Sequence, residues 1–259
     1  MKKEIGVMML LSVVLLSGCS LDHSGNAKQG LSKSPSNQVT TQPKQETTQD
    51  TTESGQENKS WSSENNEVKI SPIKVNKYGT TEIVSVEVNG VKKEFNWDIA
   101  EEPRVFYTDV TGDSKPEAVI ITNLGRGTET SIDEIHVLNS ENLSEIKVPS
   151  DEEIVADYIE SHITKNDEGN VTIKVKANGE DYEFTHALPD PDMEVQNHLF
   201  FGGVVTYSLE NQKIFLRIPG GIVATGVPMY VCSFQITYKF DNVKNEFIVD
   251  QMKFETYEE

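Results

Sequence analysis

Two alternating apolar runs that each end in Asn-Gly constrain the fold of this chain more than any other feature. In the first, valines alternate with other residues from Val84 to Val88, Asn89-Gly90 follows, and a second extended run occupies 91–95. Asn-Gly between two extended runs is the strongest short-range hairpin signal, because both turn residues must adopt positive φ. The spacing therefore predicts an antiparallel β-hairpin over 84–95.

The same arrangement recurs later in the chain. Apolar residues alternate from Val171 to Ala177, Asn178-Gly179 follows, and 180–184 forms the second run. The segments VEVNGVKKEF and VKANGEDYEF are alike over their whole length. Their likeness fits either a weak internal repeat or the same hairpin pattern used twice. Both interpretations predict a second antiparallel hairpin.

One helix interrupts a series of further predicted strands. Ser150 with Glu153 forms a capping box, and the acidic residues of the first turn favour the helix dipole. The stripe of Ile154, Val155, Tyr158 and Ile159 has helical spacing and predicts a face packed on the core. Alternating or apolar runs predict strands near 104–108, 117–123, 132–138, 143–148, 200–208, 213–218, 229–240 and 246–254. The short connections favour antiparallel sheets, arranged as a β-sandwich or an irregular propeller-like meander with one short helix.

The N-terminal stretch has the features of an export signal. Lys2 and Lys3 precede a nearly uninterrupted apolar run from Ile5 to Leu16, which is too short to cross a bilayer at about 20 residues per crossing. The run closes with Leu16-Ser17-Gly18-Cys19, which resembles the lipobox of bacterial lipoproteins. The resemblance implies cleavage before Cys19, a diacylglyceryl group on its sulfur, and an outward-facing protein held to the cell membrane by its lipid. An ordinary secretory signal that happens to contain a cysteine is the alternative.

Composition divides the remaining chain into two parts. Residues 19–66 are rich in Ser, Thr, Gln, Asn and Glu and almost free of apolar residues. Such a segment cannot bury enough surface to offset its ordering entropy, so we expect a disordered tether. Residues 67–259 are long enough for one domain with a core. The formal net charge of −19 disfavours binding to nucleic acid and to anionic headgroups.

The stretch DVTGDSKPE, residues 109–117, is the most specific chemical feature of the predicted domain. Oxygen-bearing side chains occupy alternate positions in it, and the carbonyl of Lys115 completes the alternation; the side chains belong to Asp109, Thr111, Asp113 and Glu117. In a tight loop these oxygens can converge on a hard cation such as calcium, with water completing the six to eight ligands. Alternatively, Asp109 and Asp113 cap an Asx-type turn and bind no ion.

The same stretch resembles the calcium loop of the FG-GAP, or VCBS, repeat of integrin-like β-propellers. The resemblance implies that Asp109, Thr111, Asp113 and Glu117 are side-chain ligands of calcium and that Lys115 supplies its carbonyl. This chain has Thr111 where Asn or Asp is usual, and it lacks a second copy of the loop. More loosely, residues 67–259 are similar to lipoproteins of Bacillus-type bacteria that carry one such loop, a family without an assigned activity.

Other residues are weaker candidates for chemistry. Arg126, between two glycines, could bind a carboxylate or phosphate, although a solvated loop tip is the simpler interpretation. A transition metal could use residues of the segment 186–198, namely His186, Asp190, Asp192, Glu194 and His198. His136 lies in a predicted strand and should be structural. Cys232 alternates with apolar residues on a predicted strand, which predicts a buried and inert thiol.

These observations favour a non-catalytic, lipid-anchored surface module whose ligand is an envelope protein, a wall polymer or a small solute. The GxSxG nucleophile elbow, the P-loop and the dinucleotide-binding fingerprint are absent from the sequence. The alternative is a surface hydrolase that uses carboxylates or a metal. That alternative requires acids that converge in a cleft away from residues 109–117, at least one with a perturbed pKa.

Overall fold

The computed structural model describes residues 59–128, 130–224 and 226–257. The predicted signal peptide, the lipidation site Cys19 and the predicted tether up to residue 58 lie outside these ranges. The described residues form a mainly β structure with one helix: β1 (Trp61–Ser62), β2 (Val68–Val75), β3 (Thr81–Val88), β4 (Val91–Phe95), β5 (Arg104–Thr108), β6 (Glu117–Gly127), β7 (Thr130–Leu138), β8 (Glu145–Ile146), α1 (Asp151–Tyr158), β9 (Ile159–Lys165), β10 (Asn170–Ala177), β11 (Glu180–Ala187), β12 (Val204–Glu210), β13 (Lys213–Ala224), β14 (Val227–Asp241) and β15 (Glu246–Thr256).

These strands form three sheets. One sheet has the order β1-β2-β3-β4, and a smaller one has the order β11-β10-β9. The large sheet runs β15-β14-β13-β12-β7-β6-β5, with β8 paired to β7. Every pairing between these strands is antiparallel except that of β12 with β7. The predicted mainly antiparallel, sandwich-like architecture with one short helix is confirmed.

Both predicted Asn-Gly hairpins are present. Asn89 and Gly90 have φ of 51° and 80°, and Asn178 and Gly179 have φ of 49° and 85°. Positive φ at both turn residues is the geometry of a type I′ turn, whose twist matches that of the flanking strands. The first hairpin joins β3 to β4 and the second joins β10 to β11, in two different sheets.

The helix begins as its capping box predicts. The Ser150 hydroxyl accepts the N–H of Glu153 at 3.2 Å, and the Glu153 carboxylate accepts the N–H of Ser150 at 3.0 Å. Ile154 is fully buried, as expected for the core-facing stripe. The helix is shorter than that stripe, because Ile159 is already the first residue of β9. Within the described ranges, no helix has the length and apolar character needed to cross a bilayer.

Strand β6 lies between two apolar layers. Ala118 and Ile120 pack into a cluster with residues of β2 and β3, whereas Val119 and Ile121 pack into the larger cluster with β10, β13 and β14. Both faces of the strand are therefore buried, which explains why its sequence is a continuous apolar run and does not alternate. The loop 109–116 and strand β7 are thereby attached to a strand that is buried on both faces.

The fold also differs from the prediction in places. The predicted strand at 143–148 is only the two-residue β8, and β1 lies within residues predicted to belong to the tether.

Strand β13 lies in the core and contains a bulge, with its register shift between Gly220 and Gly221. A Cβ on Gly220 would lie 2.8 Å from the Cys232 sulfur, so the glycine permits this close packing.

Candidate functional site

The loop that carries the predicted calcium ligands is the turn of a hairpin. β5 and β6 are antiparallel neighbours, and Thr108 pairs with Glu117 at the base of the loop. Two residues of the loop adopt positive φ, Gly112 at 80° and Ser114 at 70°. A left-handed serine costs about 1–2 kcal/mol, so the loop must offset this cost with bonds of its own.

The aspartates of the loop supply those bonds. Asp109 accepts the N–H of Gly112 at 2.7 Å on one oxygen and the N–H of Ser114 at 2.9 Å on the other. Asp113 accepts the N–H of Lys115 at 2.8 Å. These are the Asx-type bonds that the sequence left open as the alternative to a metal site. The turn is therefore closed by its own side chains.

Glu117 is the most buried of the predicted ligands, with 3% of its surface exposed. Its carboxylate accepts the N–H of Val110 at 3.0 Å, and the Thr111 hydroxyl lies 3.5 Å from its other oxygen. Burial raises the pKa of Glu117, the Val110 N–H opposes this shift, and the charges of Asp113 and Asp109 add to it. The loop thus places three carboxylates close enough to repel one another.

The fit of this loop to calcium is partial. Each carboxylate oxygen that accepts one N–H keeps a second lone pair for a cation, and the mutual repulsion of the acids favours positive charge. The Lys115 ammonium lies outside this group, where it donates to Glu141 at 2.7 Å. However, the described part of the chain has no group of three or more His, Cys, Asp or Glu side chains placed to hold a metal ion.

Two other predicted residues have structural partners. Arg126 forms an ion pair with Glu101 at 3.1 Å, and both side chains are largely exposed. Cys232 is fully buried, and its thiol is 3.7 Å from the carbonyl of Gly220. Burial raises the pKa of Cys232 to about 12, so the thiol stays protonated at neutral pH. The prediction that this cysteine is buried is confirmed.

The segment 186–198 does not assemble the metal site that its composition allowed. His186 lies at the end of β11, and Asp190 accepts the N–H of Asp192 at 2.9 Å in a turn. His198 contacts its neighbour Asn197 at 2.7 Å through Nδ1. None of these side chains belongs to a metal-competent group in the ranges that the structure describes.

A cleft that the sequence did not predict lies along one edge of β7. β12 pairs with residues 131–132 of β7, and β8 pairs with residues 137–138. Between these contacts, the described strands leave the outer edge of residues 133–136 unpaired, and a cleft of about 480 Å³ occupies the gap. We call it the acidic cleft, because five of its lining residues are acids: Asp133, Glu134, Glu145, Asp151 and Glu152.

Asp133 forms the buried floor of the acidic cleft. It is 6% exposed, and its carboxylate is paired with Arg104 of β5. It also accepts from the Asn123 amide at 2.9 Å and from the N–H of Tyr207 at 3.3 Å. One carboxylate therefore joins β5, β6, β7 and β12. At the rim, burial raises the pKa of Asp151, and the charge of Glu152 adds to this shift.

His136 forms part of the wall of the acidic cleft. Its ring stacks on Trp97, with centroids 3.9 Å apart and planes 15° apart, and its Nδ1 lies 2.9 Å from the Glu145 carboxylate. The residue is 9% exposed. The stacking agrees with the predicted structural role, but that role leaves Nε2 without a hydrogen-bond partner among the described residues.

The sequence contained part of the signal for this cleft. Glu134 and His136 alternate on one strand, so they had to lie on the same face of β7. The other acids come from β8 and from the start of α1, and only the tertiary structure brings them to this edge. Comparisons with protein-family models, curated proteins and solved structures found no match.

Proposed function

We propose that this protein is a lipid-anchored, outward-facing surface module that binds its ligand without transforming it. The Leu16-Ser17-Gly18-Cys19 motif after an apolar run carries the proposal, because it resembles a lipobox closely. The ligand classes that agree with this location are an envelope protein, a wall polymer or a small solute. The net charge of −19 argues against nucleic acid.

The environment of the reactive side chains supports binding over catalysis. The one described cysteine is buried and protonated. In the acidic cleft, Asp133 is engaged with Arg104, and Glu145 is engaged with His136. Acids held by structural partners shape a charged recess but are poorly placed to exchange protons with a substrate. A charged recess on a rigid β scaffold is sufficient for a site that binds its ligand without transforming it.

Replacing Cys19 with serine is expected to release the protein from the membrane. Two acyl chains bury enough methylenes, at about 0.8 kcal/mol each, for stable anchoring, and serine at this position accepts none. In membrane fractionation of the producing cells, we expect the wild type in the detergent-soluble membrane fraction. Labelling with a radioactive fatty acid should mark the wild type and not Cys19→Ser.

The matched control for this experiment is Cys232→Ser, which changes the buried cysteine and leaves Cys19 in place. This variant should remain labelled and membrane-bound. If Cys19→Ser is still labelled, or if the wild type is unlabelled and soluble, then the lipid anchor is wrong and an ordinary secretory signal becomes the better interpretation.

The proposal includes calcium as a stabilising ion of the loop 109–117. Asp109, Asp113 and Glu117 would hold it by carboxylate oxygens, Thr111 by its hydroxyl and Lys115 by its carbonyl. The supporting observation is the raised pKa of Glu117. A raised folded-state pKa means that ionising this carboxyl costs folding free energy at neutral pH, and a bound cation would recover part of that cost.

Calcium is therefore expected to raise the thermal midpoint of the full chain. At a dissociation constant of ~0.2 mM, about 2 mM calcium adds about 1.4 kcal/mol, which is roughly 3–6 °C for a chain of this size. Magnesium demands a tighter octahedral site and should add much less. The measurement is a melting curve in EDTA, in magnesium and in calcium.

Asp113→Asn is the variant that controls the calcium experiment. Asparagine keeps an oxygen that accepts the N–H of Lys115, so the turn should survive, but the charge is lost. In EDTA the variant should melt at or slightly above the wild type, because one charge that repels Glu117 is gone, and it should show no calcium response. Equal melting midpoints of the wild type in EDTA and in calcium would mean that the loop is a hydrogen-bonded turn that binds no calcium.

The acidic cleft favours a second candidate function, a surface hydrolase that uses carboxylates or a metal. Its acids converge away from the loop 109–117, and the pKa of Asp151 is raised by burial. Asp151 is also the first residue of α1, where a carboxylate has a structural role at the helix N-terminus. Turnover of chromogenic glycosides or esters that falls at least tenfold in Asp151→Asn would establish the hydrolase.

A further inference from the structure

Asn-Gly is a chemically reactive pair as well as a hairpin turn. The glycine backbone nitrogen can attack the side-chain carbonyl carbon of the asparagine, which closes a five-membered succinimide ring. The glycine N–H proton leaves with the side-chain amide nitrogen as ammonia. Water then opens either carbonyl of the ring and gives aspartate or isoaspartate. Glycine permits this attack best, because no Cβ shields its nitrogen. The sequence contains Asn-Gly only at 89–90 and 178–179.

Both turns expose the reacting groups to water. Asn89 and Asn178 are exposed, as are the glycines that follow them. Neither Gly90 nor Gly179 donates its N–H to a backbone carbonyl in the described structure. A Cβ built on either glycine would meet no atom within 4 Å, so nothing crowds the turn. Water can therefore enter, and ammonia can leave, at both positions.

The type I′ turn itself opposes the attack in both hairpins. The asparagines have φ of 51° and 49°, and the first residue of such a turn has ψ of about +30°. At these angles the asparagine Cβ points away from the next backbone nitrogen. The residue must rotate about its Cα–C bond, and its side chain must swing over that nitrogen, before the ring can close. The rate at each turn therefore depends on how firmly its asparagine is held.

The two asparagines are held differently. The side-chain amide of Asn89 donates to the Tyr107 hydroxyl at 2.8 Å, which ties this turn to β5 of the large sheet. Asn178 donates its backbone N–H to the carbonyl of Tyr158 at 2.9 Å, but its side chain has no hydrogen-bond partner among the described residues. A recess of about 290 Å³ beside the end of α1 borders Asn178 and leaves this side chain room to turn.

We propose that Asn178 is a site of spontaneous deamidation in the folded protein, and that the hydrogen bond to Tyr107 protects Asn89 from the same reaction. The modification adds one negative charge at the tip of the β10–β11 hairpin. Isoaspartate also inserts a methylene into the backbone of a two-residue loop, whose length fixes the hairpin register. This inference depends neither on the lipid anchor nor on the ligand of the surface module.

Ageing of the purified full chain in a mildly alkaline buffer, followed by peptide mapping, tests the proposal. Each deamidated peptide gains the mass difference between O and NH and separates into an aspartate and an isoaspartate form. We expect Asn178 to react about two- to tenfold faster than Asn89, which is the factor that one hydrogen bond of ordinary strength supplies. Equal rates, or a faster reaction at Asn89, would overturn the proposal.

Two tyrosine variants test the protection of Asn89 directly. Tyr107→Phe removes the hydroxyl that holds the Asn89 amide and keeps the ring that packs on the core. It should speed the reaction at Asn89 by about two- to tenfold and leave Asn178 unchanged. Tyr158→Phe is the matched control, because it keeps the carbonyl that contacts Asn178 and should change neither rate. An unchanged rate at Asn89 in Tyr107→Phe would contradict the protective role of this hydrogen bond.

The urea-unfolded chain separates the effect of structure from that of local sequence. Without the turns, the two Asn-Gly pairs should react at similar rates. If Asn178 leads by the same factor in urea, its reactivity is a property of its sequence neighbours and the proposal fails. The proposal also fails if both pairs react in urea and neither reacts in the folded chain, because both turns would then be closed to the attack.

Discussion

Replacing Ile120 with alanine and replacing Ile121 with alanine are each expected to destabilise the protein by about 2–5 kcal/mol. The two residues are neighbours in β6, so their side chains point to opposite faces of the sheet. In a strand with one face in water, only one of two such neighbours would be buried, so only one of the two substitutions would be strongly destabilising. Here 0% of Ile120 and 1% of Ile121 is exposed, in two different apolar clusters.

The expected losses are large compared with the total stability of a typical domain, about 5–15 kcal/mol. Each alanine removes buried methylenes and leaves a cavity that the surrounding strands fill only in part. Urea unfolding followed by tryptophan fluorescence measures the loss as a shift of the midpoint. Similar losses in both variants would support the arrangement of β6 between two layers.

Strand β10 offers the matched comparison. Ile173 is fully buried, whereas its neighbour Lys174 is exposed and forms only a surface ion pair with Glu183 at 3.4 Å. Ile173→Ala should cost about 2–5 kcal/mol and Lys174→Ala no more than about 0.5 kcal/mol. If either β6 variant loses as little stability as Lys174→Ala, then that face of β6 is not packed against an apolar layer.

Local patterns of sequence predicted the parts of this fold that depend on neighbouring residues. The Asn-Gly turns at 89–90 and 178–179 require positive φ, and few residues other than Asn and Gly accept it readily. The capping box of Ser150 with Glu153 is likewise a contact within one turn. In each case, the residues whose types predict the turn or cap are the same neighbouring residues that form it.

Long-range pairing could not be predicted in the same way. The parallel contact of β12 with β7 joins residues 204–205 to 131–132, and nothing near either segment specifies the other. The acidic cleft exists because β12 and β8 contact β7 at separate places. Glu145 and Asp151 therefore could not be assigned to it from spacing alone, whereas the loop 109–117 could be identified because its residues are contiguous.

Asp133→Ala is expected to destabilise the protein by about 3 kcal/mol, although it removes only one small side chain. The substitution leaves three donors without their acceptor: the Arg104 guanidinium, the Asn123 amide and the N–H of Tyr207. Breaking a buried charge pair costs about 3–5 kcal/mol, and each buried donor left unpaired adds to the loss. Because Arg104 is 44% exposed and can turn to water, we expect the lower end of this range.

The comparison that separates this network from general charge effects is Glu134→Ala, one residue further along β7. Glu134 is 48% exposed and has no short hydrogen bond in the described structure, so its loss should change stability by no more than about 0.5 kcal/mol. Urea midpoints of the two variants measure the difference directly. Equal midpoints would mean that Asp133 does not hold β12 against β7. The contact of β12 with β7 would then have to be maintained by its backbone bonds, in which residues 131–132 pair with 203–205, because Asp133 accepts the N–H of Tyr207 just beyond that pairing.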